Sequence, residues 1–350
     1  MGYDRAMSPS MTPRERIEAV LRGEKPDRVP IALWRHFPHD DLTAEGLARA
    51  TVAFQREYRW DLVKVTPASG YPAEAWGAKL RPADNAEGTR EYLSRPVQRP
   101  EDWHALEALT PAENPVLARE LRALQLIREG VGPEVPVLQT VFSPLTIAKQ
   151  LAGDLVFEHL RERPQDLKAG LRVVAQTTAR FAEACLGHGA DGIFFATQLA
   201  SYEVLSPSEY EAFGVPFDFE VLEAVGGQAR VGVLHLHGPR PMFELAPRYP
   251  VQIVNWHDRE TSPSLAEGQE RFSGAVLGGL NRSTTLPGGT PEEVRREVLD
   301  AVRQTRGRRL IVGAGCVVPV TAPPENLRAA REAVESSEPS ARGMGSARGT

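Results

Sequence analysis

The fold this sequence predicts is α/β: a (β/α)8 barrel with an insertion between its second and third strands. Three observations predict it. Short apolar runs alternate with longer amphipathic segments along the 350 residues, which is the pattern of repeated strand and helix units. The apolar runs number eight, the count that closes a parallel barrel. The rival architecture, a doubly wound open sheet, needs a glycine-rich turn that opens a helix after its first strand, and here the first apolar run leads into RHFPHDD.

The strands expected are VPIALW at 29–34, LVKVTP at 62–67, VPVLQTV at 135–141 and GIFFAT at 192–197. They continue with RVGVLHLHG at 230–238, VQIVNWHD at 251–258, AVLGGLN at 275–281 and LIVGAGC at 310–316. Several helices between them announce their own starts. Thr12, Pro13 and Glu15 make a capping box with proline at the first helical position, the apolar stripe Ile17, Val20, Leu21 follows, and Gly23 stops it. The same grammar recurs in SPSE at 206–209 and TPEE at 290–293, where Val294, Val298 and Val302 share a face. The insertion, roughly residues 70–130, reads as a small hairpin beside the barrel mouth and a helix from about Asn114 to Glu129.

Residues 1–11 read as a flexible start, 12–335 as one barrel domain, and 336–350, SSEPSARGMGSARGT with almost nothing to bury, as a disordered tail. The 41 basic and 46 acidic residues give a net charge of −5 with both signs scattered, which gives no general attraction to nucleic acid. Two cysteines make no disulfide framework, no uncharged stretch is long enough to span a bilayer, and MGYDRAMSPS lacks the apolar run of a secretory signal. A reduced, cytoplasmic enzyme is the expectation.

In a parallel barrel the chemistry sits at the carboxyl ends of the strands, so the polar residues ending each run are the candidates. They are Arg35 and His36, Lys64, Gln139 and Ser143, Gln198 and Ser201, His235 and His237, His257 and Asp258, Asn281 and Arg282, and Cys316. Side chains alternate along a strand, so His235 and His237 share a face at a spacing of about 6 to 7 Å, which two imidazoles can close around one ion. Cys316, reaching across from the last strand, makes a third ligand and leaves a fourth position open, an arrangement that suits zinc. Against this stands the ordinary reading, in which two histidines two apart only make hydrogen bonds. Cys185, in FAEACLGHGADG, reads as a helix core residue.

Arg35 either leaves the strand for the surface or grips a substrate carboxylate with its planar fork of donors. Lys64 interrupts an apolar run, so its charge must snorkel, pair or face the pocket. His257 is a proton donor or a substrate contact, and Asn281 holds either a substrate oxygen or its own loop. With His257, Arg35 and Lys64 taken as catalytic, the substrate contacts are Arg35, His36, Gln139, Gln198 and Asn281, and the metal ligands His235, His237 and Cys316.

Four segments, TPRERIEAVLRGEKPDRVPI, YRWDLVKVTP, GADGIFFATQLASYEVLSPSEYEAF and GAGCVVPVTAPPENL, resemble the uroporphyrinogen decarboxylase superfamily from about Thr12 to Glu335. That superfamily also holds the zinc-dependent methyltransferases that move methyl groups between corrinoid proteins and thiols. The resemblance implies a distorted eight-stranded (TIM) barrel, often dimeric. True porphyrinogen decarboxylases carry an arginine-rich MRQAGRYLPEY stretch and an FSD aspartate, where this chain reads LWRHFPHDD and VKVTPASG. The methyltransferase branch holds zinc with His-x-Cys and a later Cys; His235 and Cys316 match the outer positions, and His237 stands where a thiolate is expected.

The expectation drawn from this is a zinc-dependent methyltransferase-like enzyme that activates a thiol or hydroxyl of a small molecule. Its methyl donor is a corrinoid supplied by a partner protein. The alternative is a decarboxylase with no metal or other cofactor, acting on a porphyrinogen or a smaller aromatic or heterocyclic acid. A third possibility, a barrel used only for binding or sensing, has no reason to bring Cys316 to the histidines.

Overall fold

The chain is described by a computed structural model covering residues 10–336. The flexible start and disordered tail expected over 1–11 and 336–350 lie outside those residues except at their inner edges. There Met11 N donates to Asp27 (3.0 Å), and Ser336 ends the last helix, Pro324–Ser336.

Ten strands are present among the described residues: β1 (Ile31–Ala32), β2 (Val63–Val65), β3 (Lys79–Pro82), β4 (Arg90–Ser94), β5 (Val137–Phe142), β6 (Gly192–Thr197), β7 (Val231–Leu236), β8 (Ile253–Trp256), β9 (Ala275–Leu280) and β10 (Leu310–Ala314). Eight of them, in the order β1-β10-β9-β8-β7-β6-β5-β2, form one parallel sheet rolled into a nearly closed barrel. These are the eight apolar runs read from the sequence. Helices cover the outside and side chains fill the inside, so β5, β6, β7 and β9 are buried along their whole length.

The remaining pair, β3 and β4, is an antiparallel hairpin within the insertion. The helix Pro115–Val131 follows it, capped by Asn114, whose side chain accepts from Val116 N and Leu117 N. The capping boxes at Thr12, Ser206 and Thr290 all form, and a fourth, Ser264 with Glu267, was not read from the sequence. Cys185 is fully buried in the helix Pro164–Gly187.

The ring is least complete between β1 and β2, which share no ladder, and Asp61 spans that seam. Its backbone N donates to Ile31 O (2.9 Å), and its carboxylate accepts from Ile31 N (2.9 Å). The same carboxylate takes Arg16 (2.7 Å), Arg28 (2.7 and 2.8 Å) and Arg331 (3.3 Å), joining the first helix, the first strand and the last helix around a fully buried charge. Removing one partner from such a network strands the others in a dry site. Asp61→Ala is therefore expected to cost about 3–5 kcal/mol of stability, read as a lower urea midpoint. A change below about 1 kcal/mol, the worth of an exposed pair, would contradict the role assigned to the seam.

Candidate metal centre

The ends of three strands put four donors in one place. His235 and His237 come from the end of β7, His257 follows β8, and Cys316 follows β10; one ligand atom from each lies within 4.8 Å of all the others. Close approach of the chain segments is part of the reason. A Cβ on Gly315 would sit 2.7 Å from His257 Cα and 3.0 Å from Trp256 O, so only glycine lets the end of β10 pass this near the end of β8.

Two of the imidazoles are held in defined tautomers. Asn255, fully buried on β8, donates through Nδ2 to Leu277 O (2.7 Å) and Ala314 O (3.1 Å). Its oxygen therefore faces His235 Nδ1 (2.6 Å), which must carry the proton and leave Nε2 bare. His257 Nδ1 likewise faces Glu260 Oε2 (3.0 Å), while its Nε2 approaches His237 Nδ1 (3.4 Å). Glu260 is itself held by Ser283 Oγ (2.7 Å). Buried ring nitrogens oriented in this way by an amide and a carboxylate are the usual surroundings of metal-bound histidine.

The donor spacing fits a small tetrahedral ion. Bonds near 2.0 Å to nitrogen and 2.3 Å to sulfur put neighbouring ligands roughly 3.3 to 3.5 Å apart. His257 Nε2 lies 3.4 Å and Cys316 Sγ 3.6 Å from His237 Nδ1. With Nε2 of His235 and of His257 bare, the four atoms present more lone pairs to one point than protons to satisfy them. Burial pushes the Cys316 thiol up, but His235 and His237 outweigh it and hold the thiol well below its ordinary value. Burial lowers His235, with Cys316 opposing, and His257 is raised because Cys316 and Glu260 overcome its burial.

The cluster forms one wall of a chamber of about 290 Å³ at the barrel mouth. Trp34, Phe142 and Phe194 line it as apolar surface, and Lys64, His36, Thr66 and Gln198 as polar. Burial lowers His36 to about 4, and its Nδ1 bonds Pro67 O (3.1 Å). Lys64 is lowered by burial to about 7, with Cys316 partly offsetting the shift. Glu87, from the turn of the hairpin, pairs with Arg282 at the rim, and Arg282 Nε also holds Val317 O (2.7 Å), one residue beyond Cys316.

Of the residues assigned site roles from sequence, three fall elsewhere. Trp34 and His36 face inward, so Arg35 between them faces out, its guanidinium 5.5 and 5.3 Å from the ring centres of Phe37 and Phe54. Thr140 and Phe142 face the chamber, which turns Gln139 toward the helices. Asn281 accepts from Ser283 N and Thr284 N (2.9 Å each), so its side chain holds its own loop. His257, expected as a proton donor or substrate contact, stands among the four donors.

The groups not singled out were Asn255, Glu260 and Glu87, whereas Arg282, a strand-end candidate, stands at the chamber rim. Asn255 carried a signal, as an amide inside the apolar run VQIVNW. Asp258 bonds Gly279 N (3.0 and 3.1 Å), an anchor for the neighbouring strand.

A family model described as uroporphyrinogen decarboxylase (URO-D) matches residues 12–337. Among curated proteins, the chain is 24% identical to a methylcobamide:CoM methyltransferase of Methanosarcina mazei over 334 residues, covering 91% of this chain and 96% of that protein. It is 27% identical to a uroporphyrinogen decarboxylase of Prochlorococcus marinus over 262 residues, covering 72% and 73%. Among solved structures, a methyltransferase from Methanosarcina mazei superposes with a TM-score of 0.82 at 21% identity, covering 93% of this chain and 99% of that one.

Asn255→Ala removes the side chain that holds the His235 tautomer. It is expected to weaken zinc binding about 10- to 100-fold, measured by competition with a chromophoric chelator. Unchanged affinity would mean that His235 lies outside the donor set.

Proposed function

We propose that this chain, which belongs to the uroporphyrinogen decarboxylase family, is a zinc-dependent methyl-transfer enzyme. In this reading it activates a small thiol or hydroxyl acceptor for a methyl group presented by a separate corrinoid protein. The observation that carries the reading is the convergence of His235, His237, His257 and Cys316 on one point. The methylcobamide:CoM methyltransferase that the chain matches over most of both lengths supports it.

Zinc held by these four residues would supply a Lewis acid lowering the proton affinity of the acceptor, provided the ion takes the acceptor in addition to, or in place of, one of the four donors. Three neutral imidazoles and one thiolate leave a divalent ion one net positive charge, which makes the site more electrophilic than a set with two thiolates. Asn255 and Glu260 keep the Nε2 faces of His235 and His257 turned inward. Trp34, Phe142 and Phe194 give the chamber apolar surface beside the cluster, which strengthens electrostatic contacts inside. Gln198 and His36 offer polar contacts to the acceptor.

The chamber's volume of about 290 Å³ is at the small end for ligand sites, so the acceptor is a small molecule. The methyl donor then reaches it from the rim, where Glu87 and Arg282 clasp the hairpin to the loop after β9. A porphyrinogen decarboxylase fits these walls poorly. Lys64 is the chamber's basic group without a carboxylate partner among the described residues, since Arg282 is paired and Arg35 faces away.

Protein purified without added metal is expected to hold about one equivalent of zinc, measured by atomic emission. Cys316→Ser and His237→Ala are each expected to lose most of it. Cobalt(II) replacement should give a near-ultraviolet thiolate band that is missing in Cys316→Ser. Parent protein with less than about a tenth of an equivalent of any transition metal would sink the reading.

A further inference from the structure

Besides His36, the chamber contains one ionisable group that neither the metal cluster nor the rim clasp uses. Lys64 projects from β2 into the chamber wall, 7% exposed. Its Nζ has one long hydrogen bond, to Thr66 Oγ1 (3.4 Å), and lies 4.8 Å from the ring centre of Phe194 and 5.6 Å from that of Trp34. Among the described residues no carboxylate pairs with it. A buried ammonium in such surroundings is costly, and the usual outcome is that the amine gives up its proton.

We propose that Lys64 is the proton acceptor for the acceptor's thiol or hydroxyl. This rests on the methyl-transfer reading and adds to it the fate of the proton. The S–H or O–H bond breaks, sulfur or oxygen keeps the electron pair, and the proton bonds to the lone pair of Nζ. The ammonium then faces the anion it has created, so the charge pair forms inside the chamber with no net change in charge. A base is useful when its proton affinity lies near the working pH and it shares a dry pocket with the proton it takes.

The surroundings of Lys64 agree with this role. Burial brings its pKa to about 7, and Cys316 opposes part of that shift. His36, a titratable group from the β1 side, is itself pushed down to about 4, chiefly by burial, so it stays neutral and does not compete for the proton. From β7 the facing groups are His235 and His237, and from beyond β10 Cys316. Arg282 and Glu87 face it from the rim and neutralise each other. The chamber residues of β5 and β6 are Thr140, Phe142, Phe194 and Ala196, which carry no charge.

The test counts protons. 2-Mercaptoethanol, an uncharged thiol, is titrated into the zinc-loaded full chain by calorimetry at about pH 8 in two buffers of different ionisation enthalpy, conditions in which the free thiol is mostly protonated. The parent protein is expected to release close to no protons, because Lys64 keeps the one the thiol loses. Lys64→Met and Lys64→Arg are each expected to release about one proton per thiol bound, the arginine variant because it keeps the charge and accepts no proton.

Release of about one proton by the parent as well would overturn the assignment, including the case in which Lys64 stays charged and serves only to attract anions. Protein that holds zinc and binds no thiol, or holds no zinc, overturns the methyl-transfer reading together with this one, and metal content tells the two apart.

Folding of the variant is checked independently by the urea midpoint of metal-free protein against pH. Between about 7 and the free-lysine value the unfolded amine binds a proton that the folded one does not, so the parent gains stability as pH rises through that window. Lys64→Met lacks that component of the slope.

Discussion

One buried amide ties the mouth of the barrel together. Asn255 sits on β8 and bonds His235 on β7, Leu277 on β9 and Ala314 on β10, so a single side chain holds four consecutive strands at the height where the chemistry begins. Its two amide hydrogens are committed to carbonyls, and that alone decides which nitrogen of His235 turns inward. Two residues beyond Ala314 stands Cys316, and two beyond Asn255 stands His257. The cluster is thus a consequence of strand register, reinforced by a glycine that lets β10 pass close to β8.

The two ends of the barrel handle charge differently. At the amino end, Asp61 is surrounded by Arg16, Arg28 and Arg331, a network of opposite charges whose work is to join the first and last parts of the chain. At the carboxyl end, Lys64 is buried with no carboxylate partner among the described residues and the four donors point at one another. A fold tolerates such unsatisfied groups where a ligand completes them. That division matches the general rule that barrels keep stability at one face and chemistry at the other.

The insertion shows how a shared barrel acquires a particular chamber. Its hairpin brings Glu87 over the mouth, where it meets Arg282 from the loop after β9, a partner 195 residues away in sequence. Val320 N donates to Ala86 O (2.8 Å), so the hairpin turn is also tied to the segment beyond Cys316. Part of the chamber's rim, Glu87 and Thr89, therefore comes from a segment that contributes nothing to the ring of eight strands.

The strand runs, the capping boxes at Thr12, Ser206 and Thr290 and the hairpin with its following helix were legible because each is a local matter of periodicity, capping and turn chemistry. The pairing of His235 with His237 on one face was legible for the same reason, since alternation acts over two residues. Facing direction at the end of β1 and along β5 was not, because which face of a strand looks inward is settled by how the ring closes. Arg35 and Gln139 accordingly looked like site residues and point outward. The place of His257, the orienting roles of Asn255 and Glu260, and the Glu87–Arg282 clasp depend on distances between segments far apart in the chain. The sequence by itself determined the kind of barrel and the face His235 and His237 share; the tertiary structure decided which side chains meet inside it, because contact between strands is a property of register and closure that no local pattern carries.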